Sequence, residues 1–367
     1  MDINLDKELD FNDVFILPQY SLLSSRSQVN LERTIYFKNC INNLDVALFD
    51  DPDQSLDQEN LVSRKTNVEW TGIPIIASNM DTTGTFAVYN VLKNYKMLTA
   101  LNKFYTLNDY KNAIHSGIDL NPEYFMVTTG ITDENLQNLK EIVNYTKCKW
   151  ICIDVANGYM ESFVNFCKKI RLLYPDKIIV AGNVVTAEMV NMLVVKAGVD
   201  VIKVGIGSGS ACLTRRQTGI GRPQLSAVKE CSDTCNALNS IGYSCYIISD
   251  GGIKYPCDMA KSFGAGADFV MAGGFFAGHD ENPGELIEEE GKRYKLFYGM
   301  SSKHAMDKYF GKMENYRSSE GDVLKIPYKG QLENTVKDFL GGLRSTGTYI
   351  GAKNIEEFPE KTVFIRV

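Results

Sequence analysis

The sequence predicts an α/β fold, a (β/α)8 barrel, and three observations carry that expectation. Eight short apolar runs recur along the chain, most of them about two dozen residues apart, which leaves room for one helix and two short loops. Runs such as WICIDVAN and CYIISDGG are continuously apolar rather than alternating, as strands covered on both faces are. Segments between the runs, for example Glu161–Leu173 and Ala187–Ala197, carry apolar residues at helical spacing. A chain of 367 residues falls within the range that one barrel of this kind occupies, so residues 1–367 are expected to form a single domain.

In order, the strand candidates are Pro74–Met80, Met97–Asn102, Tyr124–Gly130, Trp150–Asn157, Lys177–Val184, Val199–Ile206, Cys245–Gly252 and Ala267–Gly274. The rhythm breaks once, between the sixth and seventh, where the loop GIGSGSACLTRRQTGIGRPQ precedes a helix starting near Leu225. In barrels of this kind the loops that follow strand C-termini carry the chemistry, so the long sixth loop is the expected active-site loop. Beyond the eighth strand, Phe275 to Gly330 is polar and charged, contains GMSSKHAM and YRSSEGD, and reads as a second active-site loop or flap. A final helix is expected around Leu332–Leu340. Residues 40–69 (NNLDVALFDDPDQSLDQEN at their centre) are acidic and rich in Asn and Gln. They read as a solvated surface insertion, too short for a folded regulatory module.

Composition excludes several classes. The apolar fraction of 44% with 23% charged residues is that of an ordinary soluble protein with ample material for a core. A net charge of -6 without Lys/Arg blocks argues against a nucleic-acid partner. The N-terminal MDINLDKELDFNDV lacks a basic region followed by an apolar one, and no run reaches the roughly 18 apolar residues of a membrane span, so no membrane association is expected. Nine cysteines without CxxC spacing, and His115, His279 and His304 far apart, suit buried free thiols in a reducing, cytoplasmic compartment and give no structural zinc site.

The segment richest in chemistry is Gly205-Ile206-Gly207-Ser208-Gly209-Ser210-Ala211-Cys212-Leu213-Thr214-Arg215-Arg216. Glycines at every second position let backbone approach a ligand closely, and Ser210 offers a hydroxyl to a phosphate oxygen. A GxGxG alone is a weak signal; a cysteine three residues past the last glycine, followed by Thr214 and Arg215, strengthens it. A thiol becomes a useful nucleophile when a positive neighbourhood favours its thiolate, and Arg215 is the neighbour that could do so. The bland alternative, a buried free cysteine, covers most of the other eight thiols. Asp250-Gly251-Gly252 closes the seventh strand and Gly273-Gly274 the eighth, and phosphate sites in these barrels are frequently built from those two loops. Asp250 is placed to accept hydrogen bonds from ribose hydroxyls, although the glycines could simply turn the chain.

The stretches IKVGIGSGSACLTRRQTGIGRPQLSAV, SDGGIKYPCDMAKSFGAGADFVMAGG, ELIEEEGKRYKLFYGMSS, YRSSEG and GGLRSTGTYIGA, with LDFNDV near the start and ASNMDT at the first strand, resemble the IMP dehydrogenase/GMP reductase family. The likeness covers nearly the whole chain outside residues 40–69. Within the family the chain is similar to the reductase branch. It has no room for the regulatory module of about a hundred residues that dehydrogenases usually carry, and Tyr316-Arg317 reverses their catalytic Arg-Tyr order.

The resemblance implies NADPH-dependent reductive deamination of GMP to IMP and ammonia through a covalent thioimidate on Cys212. Thr214 and Glu320 would form its proton-transferring pair. It also implies substrate contacts from Ser210, Asp250, Gly251, Gly252, Gly273, Gly274, Gly299, Met300, Ser301, Arg317, Ser318, Ser319 and Gly321. Cofactor contacts would come from Ser25, Arg26, Lys103, Asp154, Val155, Ala156, Ile206 and Gly207, with Ser345, Thr346, Gly347 and Thr348 serving from a neighbouring subunit of a homotetramer. A monovalent cation, K+ in the family, would sit at carbonyls of Gly207, Gly209 and Cys212 with Arg215 alongside. No GxGxxG opens a βαβ unit, so a Rossmann domain is not the source of dinucleotide binding.

Three positions depart from the family pattern besides the insertion. Ser208 stands where proline is usual and is expected to loosen the loop, since proline's fixed φ is lost. Leu213 replaces the first of two threonines, and Gly347 replaces a residue often Cys. Two other readings stay open at this point, a dehydrogenase lacking its regulatory module and a purine-nucleotide-binding barrel without turnover.

Overall fold

A computed structural model describes residues 7–38, 67–311 and 318–367. Eight parallel strands close into a barrel. They are β1 (Ile75–Ala77), β2 (Leu98–Leu101), β3 (Phe125–Thr129), β4 (Trp150–Asp154), β5 (Ile178–Val184), β6 (Val201–Val204), β7 (Tyr246–Asp250) and β8 (Phe269–Ala272). Each pairs with its successor, β5 with a register shift between Gly182 and Val184, and β8 returns to β1 through Val270–Ile75, Met271–Ile76 and Ala272–Ala77. Every run anticipated from the sequence holds one barrel strand. Strands such as Leu98–Leu101 and Val201–Val204 are buried along their whole length, which is why their sequences do not alternate.

Helices ring the barrel. Glu161–Leu173 forms as its spacing predicts, whereas Ala187–Ala197 runs as an α-helix only to Asn191 and finishes in a wider turn over Met192–Lys196. The expected final helix is followed by a short one, Phe358–Lys361, and itself runs longer than expected, over Leu332–Ile350. It continues through Gly341-Gly342 because Leu343, Gly347 and Ile350 still face the core, and a Cβ on Gly342 would sit 3.1 Å from Pro256 of the neighbouring helix. Ser345–Thr348 are therefore helical.

The N-terminal mouth is closed by an antiparallel hairpin, Arg33–Lys38 with Asn67–Gly72. Its Phe37 and Trp70 pack edge-on against Trp150, with ring centroids 5.4 and 5.8 Å apart. The Trp70 indole N–H donates to the Glu123 carbonyl at 2.9 Å, and the Tyr246 hydroxyl donates to the Tyr36 carbonyl at 3.0 Å. Burying such large rings contributes on the order of 2 kcal/mol each and leaves the opposite mouth as the open one. The acidic insertion expected at 40–69 lies outside the described residues except for 67–69, which belong to the hairpin's second strand.

The region after β8 is not the loop its polarity suggests. Ile287–Glu289, Lys292–Tyr298 and Val323–Pro327 form a three-stranded antiparallel sheet, and Lys303–Phe310 is a helix. Glu290 and Gly291 both adopt positive φ, 51° and 72°, the geometry of a tight two-residue hairpin turn. Phe297 on the middle strand packs with Ala211 and Ala277, joined by Leu324 and Ile326 of the third, so the flap has a small core over the barrel mouth.

Candidate active site

A cavity of about 370 Å³ opens at the C-terminal mouth of the barrel, where the loops after β1, β4, β6, β7 and β8 meet the flap. Cys212, Thr214, Glu320, Ser210, Asp250, Gly251, Gly252, Gly273, Gly274, Gly299, Met300 and Ser301 all line it. So do Lys103, Asp154, Val155, Ala156, Ile206, Gly207 and Gly209. A larger groove of about 950 Å³ lies elsewhere, between charged side chains that already pair with one another, such as Arg222 with Glu8 at 2.7 Å. No cysteine lines it.

Three side chains form a relay. The Cys212 thiol donates to the Thr214 hydroxyl at 3.3 Å, and that hydroxyl donates to Glu320 Oε2 at 2.8 Å. Burial pushes the thiols of Cys148, Cys152 and Cys231 up to about 12, where they are inert at neutral pH. Cys212 is half-exposed at the cavity. Arg215 does not supply the charge expected beside it. Its guanidinium turns to Asp10 at 3.0 Å and to the Arg222 carbonyl, held there by the LDFNDV segment wrapping behind the loop.

Backbone pairing brings Glu320 across from Cys212. The Leu213 N–H donates to the Glu320 carbonyl at 2.7 Å, the Asp322 N–H to the Ala211 carbonyl at 2.9 Å, and the Gly299 N–H to the Asp322 carbonyl at 3.0 Å. Glycine is required where these chains cross: a Cβ on Gly299 would meet Gly321 Cα at 2.8 Å and the Ala211 carbonyl at 2.9 Å. Ser318, Ser319 and Gly321 are not among the cavity's lining residues. The Ser318 hydroxyl donates to Gln217, and Ser319 accepts the Lys303 N–H and donates to the Gly321 carbonyl. Arg317 lies outside the described residues.

The opposite wall suits a phosphate. Gly251 and Gly252 have φ of 97° and 79°, which aims backbone into the cavity at no steric cost. Ser210 Oγ lies where a Cβ on Gly274 would approach it to 2.6 Å, so the sixth and eighth loops touch. Ser208 does not leave the loop loose. Its hydroxyl donates to the Asp250 carbonyl at 3.0 Å, a tie to the seventh loop that proline could not make.

The floor holds residues the sequence reading missed. Lys203 Nζ lies 2.5 Å from Asp154 Oδ1, 3.4 Å from Asp250 Oδ2 and 3.3 Å from Asn79 Oδ1, and Asn183 donates to Asp250 at 2.8 Å. Burial opposes the charge on Lys203, but Asp154 and Asp250 outweigh it and hold the ammonium well above its ordinary range. Burial would raise Asp154, yet Lys203 and Lys103 keep it below the usual carboxylate range. A lone lysine inside the apolar run VIKVG was the available signal.

Asp81, also missed, anchors the flap. Its Oδ2 accepts from the Tyr298 hydroxyl at 2.6 Å, the Tyr309 hydroxyl at 2.6 Å and Lys308 at 2.8 Å. Burial, then Asp81, pushes the Tyr298 phenol up to about 12, so it remains a donor at neutral pH. Asp81→Asn keeps the shape and removes the charge that these bonds use, which is expected to cost about 2 kcal/mol locally. Faster hydrogen exchange over 298–310 and about tenfold weaker ligand binding are the expected results; unchanged exchange there would show that Asp81 is no anchor.

Ser25, Arg26 and Ser345–Thr348 do not line the cavity. They lie together elsewhere, Gly347 packing on Val29 so closely that a Cβ would meet its Cγ1 at 2.7 Å. Exposed Tyr20, Leu22 and Tyr349 belong to the same part of the surface, with the Gln19 N–H donating to the Tyr349 carbonyl at 2.9 Å. Among the described residues no group of three or more His, Cys, Asp or Glu could hold a metal ion, and no helix is long and apolar enough to cross a membrane.

Comparison with known proteins identifies the family. Residues 8–367 match the family model described as the IMP dehydrogenase/GMP reductase domain. The chain is 48% identical to a GMP reductase of Buchnera aphidicola subsp. Schizaphis graminum over 368 residues, covering 100% of this chain and 96% of that one. It is 46% identical to GMP reductase 2 of Homo sapiens, with the same coverages, and 44% identical to a GMP reductase of Caenorhabditis elegans, covering 93% of the latter. With barrel, cysteine loop and flap all present across the matched length, the chain belongs to the IMP dehydrogenase/GMP reductase family.

Proposed function

We propose that the protein catalyses GMP + NADPH + 2 H+ → IMP + NADP+ + NH4+, a purine-nucleotide interconversion. The Cys212–Thr214–Glu320 relay is the observation that carries the reading, together with relatives named GMP reductase. The thiol passes its proton through the Thr214 hydroxyl toward Glu320, and the sulfur adds to purine C2. The relay then returns a proton to the C2 amine, the C–N bond breaks, ammonia leaves and a covalent thioimidate remains on Cys212. NADPH supplies the hydride that reduces C2. The C–S bond then breaks, Cys212 leaves as thiolate, and IMP is released. Gly299–Ser301 hold the purine edge, Asp250 the ribose, and Ser210 with Gly251, Gly252, Gly273 and Gly274 the phosphate.

The residues present fit the dinucleotide. Lys103 and Asp154, 4.0 Å apart at the cavity, offer a cation for phosphate and a carboxylate for a ribose or carboxamide donor, beside Val155, Ala156, Ile206 and Gly207. Ser25, Arg26 and Ser345–Thr348, grouped away from this cavity, serve that of a neighbouring copy in a homotetramer. The carbonyls of Gly207, Gly209 and Cys212 would hold a monovalent cation, with Arg215 alongside. An uncharged carbonyl donor set suits K+ better than a divalent ion and would order the cysteine loop. Ser318, Ser319 and Gly321 close over the nucleotide, and the enzyme works in the cytoplasm.

Purified protein mixed with GMP and NADPH is expected to oxidise one NADPH for each ammonia and each IMP formed, and to reduce no NAD+ when given IMP. NADPH unchanged in the presence of GMP would overturn the reading.

A further inference from the structure

Lys203 occupies an unusual position. It is 1% exposed on β6, with Val201, Ile202 and Val204 around it, and β5 packs so closely that a Cβ on Gly182 would meet Lys203 Cβ at 2.5 Å. A charge this deep persists only when paired. Its partners come from three other elements: Asp154 at the end of β4, Asp250 at the end of β7, and Asn79 in the loop after β1. The two carboxylates belong to different halves of the cavity. Asp154 stands beside Lys103, whereas Asp250 precedes Gly251-Gly252 and accepts a hydrogen bond from Asn183 on the same Oδ2 that faces Lys203. One ammonium thus spans both halves.

We propose that Lys203 is a positioning residue that couples the nucleotide half of the cavity to the dinucleotide half. The proposal rests on the assignment of those halves given above. Lys203 is shared between the two carboxylates, closer to Asp154 than to Asp250. Ribose hydroxyls donating to Asp250 satisfy that carboxylate in place of the ammonium, which then pairs wholly with Asp154 and fixes its orientation. The dinucleotide meets a carboxylate already ordered, so each ligand strengthens the binding of the other. Linkage requires the effect to be reciprocal. No bond to Lys203 is made or broken in the reaction, and its protonation state does not change.

IMP and NADPH form a suitable pair for the test, because IMP has no amine to lose and NADPH cannot oxidise it. NADPH affinity is measured by its fluorescence with and without saturating IMP, using full-length protein. Wild-type protein is expected to bind NADPH about fivefold or more tightly when IMP is present. Lys203→Met, which keeps the length of the side chain in its apolar surroundings, is expected to bring that ratio to about one. Lys203→Gln, which retains a hydrogen-bond donor, does the same if the Met variant does not fold. A purely structural lysine would weaken both ligands and leave the ratio intact, and that result overturns the proposal, as does a wild-type ratio of one. Failure of wild-type protein to bind either ligand would instead count against the proposed function.

Discussion

Cys212→Ala is expected to abolish NADPH oxidation with GMP, with kcat falling at least about 10³-fold, while GMP and NADPH still bind. The size of the effect follows from the chemistry. Expelling an amine from an aromatic purine requires sp3 character at C2, and in this cavity Cys212 is the group placed to provide it. Without sulfur no thioimidate forms, and the hydride meets an unactivated ring. The fold is expected to survive: Cys212 is half-exposed, and its N–H bond to the Gly209 carbonyl at 3.0 Å is made by backbone. Calorimetry with GMP and a stopped-flow search for a stoichiometric burst of ammonia separate chemistry from binding. Full activity in the alanine variant would remove the covalent mechanism.

The barrel was legible because parallel strands buried on both faces write themselves as unbroken apolar runs, and each run contains its strand. The cysteine and phosphate loops were legible because glycine and a small nucleophile cluster at strand C-termini. What stayed hidden depends on contacts distant in sequence. Glu320 was legible as the partner of Thr214 only through the family resemblance, since the two lie more than a hundred residues apart and the backbone pairing of 320–322 with 211–213 brings them together. Arg215 read as an activating charge because it follows Cys212 closely in the sequence, but Asp10, from near the N-terminus, claims its guanidinium. Lys203 and Asp81 were overlooked for the same reason, since a buried charge shows its purpose only through its partners. Ser208 looked like the loss of a rigid proline until its hydroxyl found the Asp250 carbonyl. The flap sheet was missed because its exposed faces carry the charges that usually mark a loop.

Glu320→Gln is expected to lower kcat by about 10² to 10³ with KM for GMP changed less than about threefold. The backbone of residue 320 makes the structural contacts, its carbonyl accepting from Leu213 N–H and its N–H donating to the Ser301 carbonyl at 3.2 Å. Glutamine leaves those bonds intact, and its amide oxygen can still accept from Thr214, so the geometry of the wall is preserved. What glutamine cannot do is take up a proton. If Glu320 is the terminus to which the thiol proton passes and from which the departing amine is protonated, the chemical step alone should suffer. Thr214→Val cuts the same path at its middle, so it should lose about as much, and the double variant little more than either, since one relay cannot be broken twice. Two losses that multiply would mean that the residues act independently. A glutamine variant within about threefold of the wild-type kcat would exclude Glu320 from the relay and leave the ammonia-releasing step without its acid.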